Sequence, residues 1–331
     1  VAKKLSDIGE FGLIDRIRAG QKKPGRSVLL GIGDDAAAFA LSRGAVGLVT
    51  TDTLADRTHF DLRYTTYRDL GWKAMAASLS DIAAMGGRPL LALVALTLTR
   101  RQTLRDIDRL YRGMRSLADR HGVAIAGGDI VSGRELALGI TVIGDCRKGN
   151  LGLRSGARPG DVVLVTGTLG ASRAGLETLR NSKFGIRNTN SAGKHLRPEP
   201  RVNEGMALAR RFKLHGMIDV SDGLAAELHH LSAGSEAGIV VDQGALPIAA
   251  EALAAGRRSG KDPADYALHG GEEYELLFTL PLPAAVRARA LLEGMGTRCT
   301  IIGQVVKGRG VRIIGLDGRR RALPGGGYAH F

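Results

Sequence analysis

Aromatic side chains are scarce in this chain of 331 residues: Phe, Trp and Tyr together make up 4%, with a single Trp. Its cores must be built from Ala, Leu, Ile and Val, and it has few platforms on which nucleic-acid bases could stack. Cysteine is scarcer still. Cys146 and Cys299 stand alone, with no CxxC and no zinc-ligand spacing, which excludes a disulfide framework and points to a reducing compartment. No apolar run approaches the roughly 20 residues of a membrane span. The stretch from Pro89 to Leu98 is too short and reads as a buried strand. The opening Val1-Ala2-Lys3-Lys4 is not a charged-then-apolar secretory start, so a cytoplasmic location with no membrane partner is expected. The phosphate loop GxxxxGK[ST], the protein-kinase motifs His-Arg-Asp and Asp-Phe-Gly, and the GxSxG elbow are all missing. Any phosphoryl transfer must then rest on carboxylates and metal ions.

The formal net charge is +14, which first suggests nucleic acid. The Lys and Arg are dispersed, however, and no helix-turn-helix or finger pattern accompanies them. No nucleic-acid partner is expected; a positive field that attracts anionic nucleotides and phosphate esters is the milder reading.

The length favours two domains. Helical periodicity marks residues 5–19, Tyr67–Met85, Thr103–His121, Gly170–Leu179, Val202–Phe212, Leu224–Ala233 and Ala284–Glu293. Strands are expected at Val28–Ile32, Ala45–Thr50, Leu90–Thr99, Val123–Ala126, Leu136–Ile143, Val162–Thr166, Ile239–Asp242, Glu275–Leu280, Thr300–Val305 and Val311–Ile314. The alternation gives an α/β (α+β) class. Leu151–Asp161, rich in Gly, Arg and Pro, reads as a junction, and the expected domains are 1–149 and 150–331. Asn181–His195 reads as a polar surface loop.

Carboxylates beside small or hydroxyl residues recur along the chain: Gly31-Ile32-Gly33-Asp34-Asp35, Thr50-Thr51-Asp52, Ser80-Asp81, Gly127-Gly128-Asp129, Asp219-Val220-Ser221-Asp222-Gly223 and Gly270-Gly271-Glu272-Glu273. Most follow apolar runs, which would put them where strands end. Gathered together they would repel one another unless a cation held them, and hard oxygen ligands suit Mg²⁺ shared with substrate phosphates. The first cluster also matches GxGxxA, with Asp52 near the spacing of a ribose-binding acid. Against a dinucleotide fold, Asp34 and Asp35 would face the pyrophosphate. A capped helix start would explain one acid but not the later clusters. Ser80-Asp81 lies in an apolar helix, where an unpaired acid is costly to bury.

Taken in order, these segments resemble the thiamine-monophosphate kinase family. So do Gly9-Glu10-Phe11, His59-Phe60, Arg154-Ser155-Gly156-Ala157, Pro159-Gly160-Asp161, Val165-Thr166-Gly167, His195-Leu196-Arg197-Pro198 and Ile302-Gly303-Gln304. The resemblance implies a two-domain synthetase-like fold. An N-terminal α/β domain forms a β-barrel across a homodimer interface and binds ATP and Mg²⁺. A C-terminal α/β sandwich completes the nucleotide and substrate site.

By the same resemblance, Asp35, Thr50, Thr51, Asp52, Asp81, Asp129, Asp219 and Asp222 surround Mg²⁺, with Asp52, Asp129 and Asp219 taken as catalytic. Gly128, Arg154, Ser221 and Tyr111 contact ATP, the co-substrate, while His59, Glu272 and Tyr328 contact thiamine monophosphate. The implied reaction is ATP-dependent phosphorylation of thiamine monophosphate to the diphosphate. The alternatives are another ATP-using synthetase of the superfamily, or a non-catalytic nucleotide- or nucleic-acid-binding protein. Two departures stand out: Glu273 where the family has Asp, and Ile130-Val131-Ser132-Gly133 where it has Thr-Thr-Arg-Gly.

Overall fold

Two mixed sheets, one from each half of the chain, are built around a nearly buried helix. The computed structural model describes residues 12, 28–30, 33–41, 44–181 and 190–328. The expected helix over 5–19, apart from residue 12, and Gly31-Ile32 lie outside the described residues.

The first sheet uses β1 (Val28–Leu30), β2 (Ala37–Ala40), β3 (Ala45–Ala55), β4 (Arg88–Leu98), β5 (Ala124–Ser132) and β6 (Ala137–Arg147), in the order β1-β2-β3-β6-β4-β5. All neighbours are antiparallel except β4 and β5, which are parallel and joined through α2 (Leu104–Ala118). Helix α1 (Tyr67–Ala84) packs on this sheet. Thr66 caps its start, its hydroxyl accepting from the Asp69 amide, and fifteen of its eighteen residues are buried. Such a helix has no solvent face, so its polar side chains must find partners inside.

The second half contributes β7 (Asp161–Thr166), α3 (Ala171–Asn181), α4 (Asn190–Leu196), α5 (Val202–Arg211), β8 (Gly216–Asp219), α6 (Leu224–Ser235) and β9 (Gly238–Asp242). After these come α7 (Ala250–Ser259), α8 (Pro263–His269), β10 (Leu276–Pro281), α9 (Leu282–Gly294), β11 (Cys299–Val306), β12 (Val311–Ile314) and β13 (Arg320–Ala322). Its sheet runs β13-β12-β9-β11-β7-β10-β8. The main core joins the halves: Leu79, Ile82 and Met85 belong to the same cluster as Leu208, Met217 and Phe278. Trp72 Nε1 also donates to Pro198 O at 2.7 Å across the junction.

The fold corrects several local expectations. Strand β3 continues past Thr50 to Ala55, pairing Thr50 with Val142 and Asp52 with Ile140, so Thr50-Thr51-Asp52 lies within a strand and not at its end. β-branched Thr extends a strand readily. Gly127-Gly128-Asp129 likewise lies inside β5. Of the expected loop 181–195, residues 182–189 lie outside the described residues and 190–195 belong to helix α4, whose Ala192 and Leu196 pack on Leu179 and Tyr64. Helices α7 and α8 and strands β2 and β13 were not foreseen. No helix among the described residues is long and apolar enough to cross a membrane.

Candidate active site

The acidic motifs meet where the halves join. Asp35 lies in the bend before β2, Asp81 in α1 and Asp219 at the end of β8. One carboxylate oxygen from each lies within 4.8 Å of the others. Hydroxyls from nearby elements orient them. Thr50 Oγ1 donates to Asp81 Oδ2 at 2.5 Å, Ser80 Oγ to Asp219 Oδ2 at 2.5 Å, and Ser78 Oγ to Asp52 Oδ2 at 2.7 Å. Arg154, in the connector between the halves, grips Asp35 Oδ1 through Nη2 at 2.6 Å and Nε at 3.2 Å.

One guanidinium does not neutralise this many acids. Burial, followed by repulsion from Asp35, pushes Asp219 up to about 8. Burial and then the charges of Asp52, Asp219 and Asp35 hold Asp81 well above the carboxylate range. Asp35 is also raised, burial outweighing Arg154, and Asp34 reaches about 6 through burial and Asp35. The buried Asp35 Oδ2 has no hydrogen-bond partner among the described residues. A buried carboxylate oxygen without a donor, beside two other acids, is the arrangement a hard divalent cation satisfies.

The cluster opens into a cleft of about 1700 Å³. His59, Glu272 and Tyr328 also line it, with the His59 and Tyr328 rings 6.2 Å apart and tilted by 55°. Glu272 sits at φ 60° in a loop fastened to the Asp219 motif. Its amide donates to Ser221 O at 2.6 Å, and the Tyr274 amide to Val220 O at 2.8 Å. Only a glycine fits at 271, because a Cβ there would lie 2.5 Å from Ser221 O. The backbone thus places the acid of Gly-Gly-Glu-Glu beside the acids of Asp-Val-Ser-Asp. Tyr328 joins them from far along the chain, its amide donating to Asp222 O at 3.2 Å.

Of the residues singled out in the sequence, Thr51, Asp52, His59, Asp81, Asp219, Ser221, Asp222, Glu272 and Tyr328 line this cleft. Asp35, Thr50 and Arg154 stand behind it, linked to the cluster as described. Thr51 alternates to the other sheet face from Thr50, and its hydroxyl lies 3.0 Å from that of Thr141. Gly128, Asp129 and Tyr111 are elsewhere in the chain. Asp129 aligns with Ala95, Gly139 and Thr53 across successive strands, so it stands three strand spacings, roughly 14 Å, from the β3 row. It is exposed on an edge strand. Tyr111 lies on α2, half-buried, under Arg115.

Other groups of the site had no distinct sequence signal. Lys73 and Ser78 are ordinary polar residues on a helix, and only their spacing ahead of the Ser80-Asp81 pair marks them. Glu227, buried against Ser221 and the Asp222 amide, is raised well above the carboxylate range by burial and then by Asp219 and Asp222. Glu273 does not enter the cluster: its Oε1 accepts from the Ser172 amide at 2.9 Å, at the start of α3. Burial brings Glu273 to about 7 against the pull of Lys194 and that amide.

The fold and the acidic cleft define a member of the AIR synthase related proteins. The N-terminal domain of that family matches residues 33–146 and the C-terminal domain residues 158–315. A thiamine-monophosphate kinase of Bacillus subtilis (strain 168) is 37% identical over 313 residues, covering 92% of this chain and 94% of the relative. Another, of Aquifex aeolicus (strain VF5), is 35% identical over 330 residues, covering 99% and 100%. The solved structure of AaThiL complexed with AMPPCP and TMP aligns with a TM-score of 0.85 at 33% identity, covering 100% of this chain and 99% of that one. The chain belongs to the thiamine-monophosphate kinase family. These relatives favour neither the synthetase alternative nor the non-catalytic one.

Proposed function

We propose that this chain transfers the γ-phosphoryl group of ATP to thiamine monophosphate, forming thiamine diphosphate by direct in-line attack. The observation that carries this reading is the single cleft that joins the Asp35–Asp81–Asp219 cluster to His59, Glu272 and Tyr328. The acceptor phosphate is already anionic at neutral pH, so its oxygen needs no strong base; the demand is to bring two polyanions together. Glu272 suits a cationic or amino-bearing ring, and Tyr328 offers an aromatic face to it.

Mg²⁺ fits the donor set, because the carboxylates are hard oxygen ligands and Asp35 Oδ2 has no donor among the described residues. Asp35, Asp81 and Asp219 would hold it, with Asp52, Thr50 and Asp222 around them; the Thr51 hydroxyl, against Thr141 on the opposite face of β3, does not join them. When bound, the ion supplies positive charge to the phosphates at transfer. The residues themselves fix the site: Thr50, Ser78 and Ser80 aim the carboxylates, and Arg154 holds Asp35. We assign Arg154 and Ser221 to the ATP phosphates: Ser221 lines the cleft, and Arg154 is tied to the cluster through Asp35.

We further assign a homodimer. Strand β5 is an edge strand with Ile130 and Val131 61% and 48% exposed, an unpaired apolar edge suited to a second copy. On this reading Gly128, Asp129 and Tyr111 serve the cluster of that second copy, which accounts for their distance from their own. We place the domain boundary at 149/150, where β6 has ended and the connector to β7 begins, and the protein in the cytoplasm, where ATP is available.

The test is thiamine diphosphate formation from ATP, Mg²⁺ and thiamine monophosphate, followed by chromatography with and without a chelator. Product that disappears with the chelator supports the reading. Its absence under all conditions, with ATP still binding, would contradict the choice of acceptor.

A further inference from the structure

Lys73 is 2% exposed, among the most completely buried large side chains of the protein. It lies on α1, two turns before Asp81, and its ammonium reaches out of the helix to groups of two cleft-lining residues. Nζ stands 2.5 Å from Glu272 Oε1 and donates to the backbone oxygen of His59 at 2.9 Å. One cation thus ties together a turn from the N-terminal half and a loop from the C-terminal half, at the two residues assigned to the acceptor. A lysine with only a packing role would run its stem along the core and put its head in water. This head is aimed inward, and a buried ion pair is in general a poor source of net stability.

The other oxygen of Glu272 is also held. His195 Nδ1 lies 3.2 Å from Oε2 and 3.1 Å from Ser172 Oγ. A carboxylate has about four lone-pair directions. Lys73 takes one on Oε1, His195 Nδ1 lies beside Oε2, and Glu272, 28% exposed, lines the cleft. The remaining lone pairs are presented in a fixed orientation to an N–H donor or a cationic ring.

We propose that Lys73 is a positioning residue for the phosphate acceptor: it fixes Glu272 and the His59 turn in the receiving geometry and acts through Glu272, without touching the substrate. This rests on the acceptor assignment made above. Among the described residues Lys73 makes no hydrogen bond or ion pair with Asp35 or Arg154, so its effect is expected on the acceptor more than on ATP.

The experiment is steady-state kinetics of the full chain with each substrate varied, for the unsubstituted protein, Lys73→Met, Glu272→Gln and the double variant. Thiamine diphosphate formation by the unsubstituted protein is scored first; if there is none, the function reading fails and the variants say nothing about it. With turnover established, Lys73→Met is expected to raise KM for thiamine monophosphate about tenfold or more, the size of a lost charged hydrogen bond, with KM for ATP changed less than about twofold. In the Glu272→Gln background the same substitution is expected to add nothing further. Equal rises in both KM values, or a full additional effect on top of Glu272→Gln, would overturn the proposal. If Lys73→Met alone fails to fold because Glu272 is stranded, the double variant removes both charges and keeps the comparison with Glu272→Gln.

Discussion

Ser80 and Asp219 sit 2.5 Å apart, hydroxyl to carboxylate, across the junction of the two halves. Ser80 comes from the central helix α1 and Asp219 from the edge strand β8, and both are buried. This contact is where folding of the two halves and construction of the acidic cluster become one event. Ser80→Ala strands one oxygen of a buried acid, so it is expected to lower unfolding free energy by about 1–3 kcal/mol. Urea unfolding at neutral pH measures this. A midpoint equal to that of the unsubstituted protein would show that the contact does not hold the junction.

Asp52 is the cluster acid that lines the cleft from β3, oriented by Ser78. Asp52→Asn keeps the shape and the hydrogen bond but removes the charge. Its kcat is expected to fall at least about 100-fold, the scale of losing one electrostatic group of a transition-state site, with the circular-dichroism spectrum unchanged. Near-normal turnover would remove Asp52 from the working set.

Glu275 has a different role from its acidic neighbours. It is wholly buried, accepts from Arg201 Nε and Nη2 at 2.6 and 2.7 Å, from Lys194 at 2.6 Å and from Thr166 at 2.7 Å. Burial would raise it, but Lys194 and Arg201 outweigh burial and bring it from 4.5 down to about 2. A depressed carboxylate contributes stability that is complete above its unfolded value and is lost as pH falls through its folded one. Glu275→Gln should therefore be markedly less stable at pH 7, and its deficit should shrink as pH drops from about 4.5 toward about 2. Thermal melts of both proteins across that range give the answer; a constant deficit would mean that the ion pairs are not its source.

Gly128 is in extended contact with β4 at φ 154°, and a Cβ there would lie 1.8 Å from Val94 O. Gly128→Ala must push β5 off its neighbour. Since β5 is the edge assigned to the second copy, the substitution is expected to give monomer in light scattering together with loss of activity. A stable, active dimer would show that β5 is not the dimer edge.

How much of this was legible beforehand differs by level. The acids could be read because each sits in a short motif with glycine or hydroxyl neighbours, and Asp35, Asp81 and Asp219 do converge. Their location at strand ends could not: Thr50-Thr51-Asp52 reads as the close of an apolar run, but pairing with β6 carries β3 on to Ala55. Helix α1 was visible from its length and its glycine stop. Helices α7 and α8 were missed because Ala-rich and Pro-led short segments carry little periodicity. Lys73 was invisible because a lysine in a helix ordinarily faces water, and only the three-dimensional path of the 270–275 loop brings Glu272 to it. Glu273 departs from the family pattern without disturbing the cluster, since its carboxylate serves the start of α3 instead.

The most direct measurement follows the labelled γ-phosphorus of ATP in the presence of Mg²⁺ and thiamine monophosphate, for the unsubstituted protein and for Asp219→Asn. The account expects label in the terminal phosphate of thiamine diphosphate with the former and almost none with the latter. Label appearing only as inorganic phosphate, or transfer undiminished in Asp219→Asn, would contradict it.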